Sequence, residues 1–283
     1  MQRIGETNMT ARGLLKRALS RVDRGAGAAS GATLLIYHRV GGGTTNELDM
    51  EVAAFERQLD LLAQHDVVSL DAALDRLDAG DPRPSVVLTF DDGFDDVYAN
   101  AWPLLRERQL PFTIYLATAY LGQTMRWEGA TAKGSPGRGL SWDQVRRMQD
   151  SGLLTLGSHT HHHVRPEHLT EAELDACSDA IFARCGVRPH HFTYPWGIPV
   201  PAMEDALRAR FRSASTGEVG RNLPGQDLMR LNRVPVRRTD PEDFFRAKLT
   251  GDLRAERAYG SLVGAAKTGL GVVRQPLQLL KRS

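Results

Sequence analysis

Hydrophobic and polar positions along the chain form two alternating patterns. Short apolar, β-branched runs have the character of strands that are buried on both faces of a parallel sheet. The stretches between them repeat apolar residues every three or four positions, which is typical of helices that pack on such a sheet. Strands are predicted at residues 33–37, 67–70, 85–90, 112–116, 153–156, 191–194, 212–215 and 231–236.

Helices are predicted between these strands, and several begin at residues that can cap a helix. Ser141 is expected to cap a helix that runs through Met148, Asp71 is expected to cap another, and the segment from Thr170 to Glu173 has a capping-box pattern. The regular alternation predicts an α/β fold, and about seven strand–helix units favour a barrel over an open sheet. Further helices are predicted at residues 55–62, 96–108 and 203–209.

The two ends of the chain differ from the part between them. Residues 1–30 and 251–283 are predicted to be basic helical appendages, and residues 31–250 a single domain that carries the barrel. The first appendage is expected to lie on an anionic membrane, to pack on the barrel, or to belong to a partly disordered tail. One face of its predicted helix is apolar and the surrounding positions are basic: Leu14, Leu15, Ala18, Leu19 and Val22 against Arg12, Lys16, Arg17, Arg21 and Arg24.

The overall charge and the cysteine content bear on the class of protein. The formal net charge of +2, from 36 basic and 34 acidic residues, gives no electrostatic reason to expect nucleic acid binding. No run approaches the roughly 18 apolar residues of a transmembrane helix, and the N-terminus lacks a secretory pattern. We therefore expect a cytoplasmic protein, with peripheral contact at the inner membrane face through the basic ends as an option. On a shared helix, Cys177 and Cys185 would lie about 12 Å apart, too far for a disulfide.

Two polar clusters each follow a predicted strand directly. The sequence Thr-Phe-Asp-Asp-Gly carries Asp91 and Asp92, and the sequence Gly-Ser-His-Thr-His-His-His carries His159 and His163. The carboxyl ends of parallel strands meet at one edge of a sheet, where ligands and catalytic groups collect. We therefore expect one site, although an Asp-Asp-Gly turn and a His-rich loop can each be purely structural.

These residues form a donor set that suits a divalent metal ion. Asp92, His159 and His163 would provide three ligands and leave a position open for a water molecule that the metal acidifies. Asp91 would then be free to act as the general base. Zn²⁺ is the preferred ion for two imidazoles and a carboxylate, and Fe, Co, Ni and Mn are alternatives.

The same residues resemble the polysaccharide deacetylases of carbohydrate esterase family four. Residues 89–93 resemble the first motif of that family and residues 159–163 its second, and the resemblance extends from Leu35 to about Val236. It implies a distorted (β/α)7 barrel, Asp91 as the base, and the three metal ligands named above. The implied reaction is the removal of an acetyl group from an N-acetylated sugar.

The later motifs of the family match less completely. Residues 192–197 resemble the third motif, in which the backbone N–H after the proline faces the developing oxyanion, and this position is Trp196. Thr193 stands where many members have an arginine that tunes the base, and the fourth motif has no clear match. Arg233 stands where the fifth motif has the general-acid histidine, and an arginine does not donate a proton near neutral pH.

Either another group therefore protonates the leaving amine, or the enzyme is weak. His38 is the candidate, because its Tyr-His-Arg-Val segment resembles that of exopolysaccharide-type members. A histidine that simply bonds a neighbouring backbone group is the alternative.

These observations predict a metal-dependent hydrolase that deacetylates an N-acetylated sugar in a polysaccharide, an oligosaccharide or a lipid-linked precursor. Trp127, Trp142 and Trp196 are available to stack on sugar rings, which favours a carbohydrate substrate. One alternative is a hydrolase of a linear or cyclic amide outside carbohydrate chemistry. The other, motivated by the missing arginine and histidine, is a metal-binding relative that binds carbohydrate without catalysis.

Overall fold

The computed structural model describes residues 10–21, 30–127, 131–132 and 135–269 of the chain. Predictions for the remaining residues lie outside this part, among them those for the apolar Val22, the basic Arg24 and the end of the C-terminal tail. The predicted domain boundaries near residues 30 and 250 stay a prediction.

Seven parallel strands form the centre of the fold. They are β1 (Ala32–Tyr37), β2 (Ser85–Phe90), β3 (Phe112–Leu116), β4 (Leu154–Ser158), β5 (His191–Thr193), β6 (Ser213–Ser215) and β7 (Val234–Pro235). Their order in the sheet is β6-β5-β4-β3-β2-β1-β7. The chain that leads into β7 also pairs with β6, because the Thr216 N–H donates to the Leu231 carbonyl at 2.9 Å. The sheet thus closes on itself, and the predicted distorted (β/α)7 barrel is confirmed.

Helices cover the outside of the barrel. They are α1 (Ala11–Arg21), α2 (Val52–Leu62), α3 (Leu70–Asp78), α4 (Trp102–Glu107), α5 (Trp142–Gln149), α6 (Glu171–Cys185), α7 (Glu204–Arg208), α8 (Glu242–Thr250) and α9 (Arg254–Gly269). A π turn, Val97–Ala101, precedes α4, and two-residue strands pair Arg39–Val40 with Asp49–Met50 and Thr131–Ala132 with Ser135–Pro136. Both cysteines lie on α6 as free thiols, as expected. No helix in the described part of the chain is long and apolar enough to cross a bilayer.

One predicted strand and one predicted cap are wrong. Of the strand predicted at residues 67–70, only Val67 forms a single bridge to the sheet. The Ser69 hydroxyl accepts a hydrogen bond from the Ala72 N–H at 3.2 Å and caps α3, so Asp71 lies in the first helical turn. The apolar Leu70 that suggested a strand is buried on the inner face of this helix. A short apolar run alone does not separate a strand from the first turn of a buried helix.

Alternate side chains of the strands point to different layers. On β2, Leu88 and Phe90 join the large apolar cluster that packs helices onto the sheet, whereas Val87 joins a second cluster. On β3, the Tyr115 hydroxyl lies 3.3 Å from the Ser215 Oγ on β6, which is not a neighbouring strand in the sheet. The barrel interior is therefore filled by side chains at this level.

The N-terminal helix packs on the C-terminal helices through a buried cluster of charges. Helix α1 contacts α8 and α9. The Lys16 Nζ lies 2.7 Å from the Asp240 Oδ1, the Lys248 Nζ lies 2.5 Å from the Asp240 Oδ2, and the three side chains are 0–1% exposed. Burial alone would raise the pKa of the Asp240 carboxyl, but the two ammonium groups outweigh it and hold this pKa below its ordinary value. The described part of the basic N-terminal helix thus packs on the barrel domain.

Asp240→Asn is expected to lower the free energy of unfolding by about 3–5 kcal/mol, because it leaves two buried ammonium groups beside a neutral amide. Lys248 keeps a contact with Glu256 at 3.0 Å, which favours the lower end of this range. Guanidinium denaturation followed by circular dichroism measures the loss. The control is Asp143→Asn, which removes an exposed pair with Arg146 and should cost less than about 1 kcal/mol. An equally small loss for Asp240→Asn would contradict the buried pairing.

Candidate functional site

The carboxyl ends of the strands open into one pocket. All six residues singled out from the sequence line it, although four loops supply them: His38 after β1, Asp91 and Asp92 after β2, His159 and His163 after β4, and Trp196 after β5. The convergence follows from the parallel sheet, which brings the ends of all its strands to the same edge.

A strained turn separates the two neighbouring aspartates. The Asp91 N–H still donates to the Tyr37 carbonyl of β1 at 2.9 Å, so the strand continues to this residue. Asp92 then takes a left-handed conformation with φ of 75°, and Gly93 follows with φ of 88°. A Cβ on Gly93 would lie 2.8 Å from a Leu116 methyl carbon, so glycine fits this position for two reasons. The reversal sends the two carboxylates to different partners.

The Nε2 atoms of two histidines face Asp92. The Nδ1 of His159 lies 2.9 Å from the Thr193 carbonyl oxygen, which only accepts, so this nitrogen carries the proton and Nε2 has a free lone pair. The Nε2 atoms of His159 and His163 each lie 3.4 Å from the Asp92 Oδ1. Burial lowers the pKa of His163 to about 4, so its ring is neutral near neutral pH despite the nearby Asp92 carboxylate.

This arrangement fits a divalent cation. One potential ligand atom from each of Asp92, His159 and His163 lies within 4.8 Å of the others, and all three residues are buried. A buried carboxylate that two imidazole nitrogens face at these distances is well placed to share a cation with them. The Asp92 Oδ1 also has no hydrogen-bond partner among the described residues. Two neutral imidazoles and a carboxylate form a common catalytic metal site.

Asp91 is held by an arginine instead. The Nη1 and Nη2 atoms of Arg233 donate to its two carboxylate oxygens at 2.7 and 2.8 Å, and the Arg233 Nε donates to the Thr216 carbonyl at 3.0 Å. Both side chains are almost fully buried. Burial by itself would raise the pKa of the Asp91 carboxyl, but the guanidinium outweighs it and keeps this pKa below its ordinary value. Asp91 is therefore ionised at neutral pH.

Two of the three candidate tryptophans border the pocket. The Trp127 ring stacks on the His163 ring with centroids 4.4 Å apart. Trp196 is 40% exposed at the rim and has a left-handed φ of 63°. The turn that carries Trp196 ends at Gly197, where a Cβ would lie 2.7 Å from the Gly217 backbone. The third, Trp142, begins α5 and packs against the main core, so its proposed stacking role finds no support in this geometry.

The other histidines of the cluster hold the loop in place. The His161 Nδ1 lies 2.7 Å from the Thr118 hydroxyl. The Glu173 carboxylate accepts from the His162 N–H at 2.8 Å and contacts its Nδ1 at 2.7 Å. Thr170 caps α6 as predicted, but its partner Glu173 turns to this loop and does not complete the capping box. Hydrogen bonds to Thr118 and to Glu173 thus hold the loop that bears His163.

Comparison with known proteins gives the family of this fold and site. The family model described as polysaccharide deacetylase matches residues 78–211. The structure of IcaB from Ammonifex degensii is similar with a TM-score of 0.67 and 27% sequence identity, over 79% of this chain and 97% of that chain. The chain is similar to the polysaccharide deacetylase family in these residues and in its fold. The resemblance inferred from the motifs is thereby confirmed.

Two curated relatives show how far the similarity extends along the chain. The chain is 31% identical over 110 residues to the poly-β-1,6-N-acetyl-D-glucosamine N-deacetylase of Staphylococcus epidermidis, which is 38% of this chain and 35% of that protein. It is 27% identical over 217 residues to YxkH of Bacillus subtilis, whose name also places it among polysaccharide deacetylases, over 72% of this chain and 70% of that protein. The match thus spans about a third of the staphylococcal relative.

The geometry of the site corrects one expectation from the sequence. Thr193 does stand where an arginine is common, but the conclusion that Asp91 lacks a charged partner is wrong, because Arg233 supplies the charge from the segment before β7. The signal was present in the sequence. Arg233 lies between Leu231 and Val234 in a strand predicted to be buried, and a buried arginine requires a carboxylate partner.

Proposed function

We propose that this protein is a metal-dependent hydrolase that removes the acetyl group from an N-acetylated amino sugar in a polysaccharide, an oligosaccharide or a lipid-linked precursor. The observation that carries the proposal is the division of the aspartate pair: Asp92 faces two histidines while Asp91, bound by Arg233, lies beside them in the same pocket. The names of the staphylococcal relatives support an N-acetylglucosamine polymer as the substrate.

Asp92, His159 and His163 would hold the metal, and Zn²⁺ is our preferred ion for this donor set. When bound there, such an ion supplies a Lewis acid that polarises the acetyl carbonyl and lowers the pKa of water. The hydrogen bond from the His159 Nδ1 to the Thr193 carbonyl orients its Nε2 toward this site, and His163, whose low pKa keeps it neutral, can coordinate without first losing a proton.

Asp91 is the proposed general base. It lies in the pocket beside the metal ligands and is ionised, so it can accept a proton from the attacking water. The two hydrogen bonds from Arg233 fix the plane of its carboxylate. A base that is already ionised and held in place does not have to lose a proton or rotate before it acts.

Trp196 and His38 are proposed to complete the reaction. The left-handed turn at Trp196 presents its backbone at the rim of the pocket, where an N–H group would stabilise the developing oxyanion. Breaking the amide bond leaves an amine that must take up a proton. His38 lines the pocket, and its imidazole is our candidate for the acid. Arg233 cannot serve, because it stays protonated.

Acetate release tests the proposal. Protein purified without chelators or metal-affinity resin is expected to contain about one divalent ion per chain and to release acetate from poly-β-1,6-N-acetylglucosamine. Dialysis against a chelator should abolish the release and added Zn²⁺ should restore it. Elemental analysis before dialysis identifies the ion.

Two results would contradict the proposal. Acetate release only from non-carbohydrate amides would move the substrate outside sugars. Bound metal without turnover on a panel of acetylated saccharides would favour a binding protein. The Arg233–Asp91 pair supplies the charged partner whose supposed absence motivated that second alternative. The cytoplasmic location stays a prediction that this assay does not address.

A further inference from the structure

The apolar stripe of helix α1 faces away from the protein. Ala11, Leu14, Leu15 and Ala18 are all exposed, and the Leu14 side chain is 57% accessible. Their spacing of three and four residues places them on one face of the helix. A stripe of this kind normally packs on the core, so its outward position needs a reason.

The opposite face of α1 fixes this orientation. Gly13 and Lys16 are buried against the C-terminal helices, and the Lys16 ammonium is bonded to Asp240 and to the Thr239 hydroxyl at 2.7 and 2.8 Å. Rotating the helix to bury its leucines would remove the Lys16 ammonium group from this cluster. Asp240 would then be paired with Lys248 alone. The buried ion pair therefore holds the apolar stripe outward.

The helix is also linked to the rim of the active-site pocket at two points, each through one intervening residue. The Arg12 Nη1 lies 3.2 Å from the Glu47 carboxylate, and the next residue, Leu48, lines the pocket and is itself 37% exposed. At the second point, the Asp240 carboxylate that binds Lys16 also accepts the Arg237 N–H at 2.9 Å, and Arg237 lines the pocket. One end of α1 therefore lies near the rim of the pocket.

The charges around the stripe indicate what covers it. Helix α1 contains no acidic residue, and Arg12 and Arg17 are exposed on either side of the leucines. On the adjoining helix α9, Leu262 is 49% exposed and Arg257 is exposed as well. A surface that combines apolar side chains with arginines is complementary to an anionic lipid headgroup layer over hydrocarbon.

We propose that α1 and the adjoining part of α9 dock this protein on the surface of an anionic lipid bilayer, with the pocket entrance next to the membrane. The leucines enter the boundary between headgroups and acyl chains while the arginines bind phosphate groups. Docking does not depend on deacetylation, so its test is independent of the proposed function. A substrate held at the membrane would then reach the pocket without leaving the surface.

Vesicle flotation of the full chain tests this docking. The protein is expected to float with vesicles of phosphatidylglycerol and phosphatidylcholine and to bind pure phosphatidylcholine about tenfold more weakly, since the arginines contribute only at an anionic surface. Leu14→Ser combined with Leu15→Ser should reduce binding to the mixed vesicles by about tenfold. Arg17→Glu should also weaken binding to the mixed vesicles. The binding that remains should be less sensitive to salt, because one of the charges that salt screens has been removed. Circular dichroism checks that each variant is folded.

The control is Phe182→Ser on helix α6, which removes a comparably exposed hydrophobic side chain elsewhere and should leave binding unchanged. Light scattering of the same samples distinguishes a bilayer from a second copy of the chain. Wild-type protein that stays with the soluble fraction overturns the proposal, as does equal binding by the double leucine variant. A dimer that the leucine substitutions convert to a monomer would instead make this face a subunit interface.

Discussion

Asp91→Asn is expected to lower kcat for acetate release by about 10²–10⁴-fold while the bound metal remains. The substitution removes the proposed proton acceptor. It leaves Asp92, His159 and His163 unchanged, and the Asp92 carboxylate faces the two histidines. Steady-state kinetics on an acetylated oligosaccharide and elemental analysis of the same preparation measure the two quantities. Loss of the metal together with the activity would show that Asp91 is a ligand and contradict the division of roles.

Stability must be separated from chemistry in this experiment. The neutral amide leaves the Arg233 guanidinium buried without its carboxylate, so Asp91→Asn alone should destabilise the fold. Combining it with Arg233→Met removes both charges and should recover much of the stability without recovering activity. The control Asp95→Asn changes a nearby aspartate that does not line the pocket, and it should retain activity. An active double variant would refute the assignment of Asp91 as the base.

Arg233→Met is expected to move the acidic limb of the kcat/KM profile upward by about 1–3 pH units. Asp91 must be ionised to accept a proton, and its pKa is held down by the guanidinium against the effect of burial. Without Arg233, only the nearby His159 and His38 oppose the effect of burial, so the pKa of Asp91 rises and activity is lost first at low pH. Measuring kcat/KM across the pH range, with metal content checked at each point, follows this shift.

A lysine at the same position separates charge from geometry. Arg233→Lys keeps a positive charge but not the two parallel hydrogen bonds, so its profile should shift less and its kcat should remain reduced. Arg146→Met on α5 removes an exposed arginine far from the pocket and should leave the profile as it is. If Arg233→Met lowers the rate equally at every pH, Arg233 has a purely structural role and does not tune the base.

The metal-binding half of the site could be predicted because its residues belong to local motifs. Asp92 follows an apolar strand and precedes a glycine, and His159 and His163 lie four residues apart just after another strand. Such segments carry their own conformational information: the apolar run makes the strand, and the glycine permits the turn. The parallel sheet that the alternation predicts then brings both strand ends to one edge.

The charged partner of Asp91, the proposed base, could not be predicted from a local motif. Arg233 lies 142 residues from Asp91 along the chain, and the two meet because the segment before β7 closes the barrel beside β1 and β6. In the sequence the same arginine stands where the fifth motif of the family has a histidine, so comparison by position alone suggested a missing group. Only the closed barrel shows that its long side chain reaches the carboxylate across the interior.

The orientation of α1 also depends on a contact between residues that are distant in sequence. Its hydrophobic pattern determined that a helix forms there with one apolar face, since that periodicity is a local property of the chain. The pattern alone left open which face packs on the protein, because that depends on residues more than 200 positions away, Asp240 among them. Thus the sequence by itself determined the strand–helix alternation, the barrel and the candidate metal ligands. The tertiary structure decided the long-range charge pairs, Arg233 with Asp91 and Lys16 with Asp240, because a buried charge takes the partner that folding brings within reach.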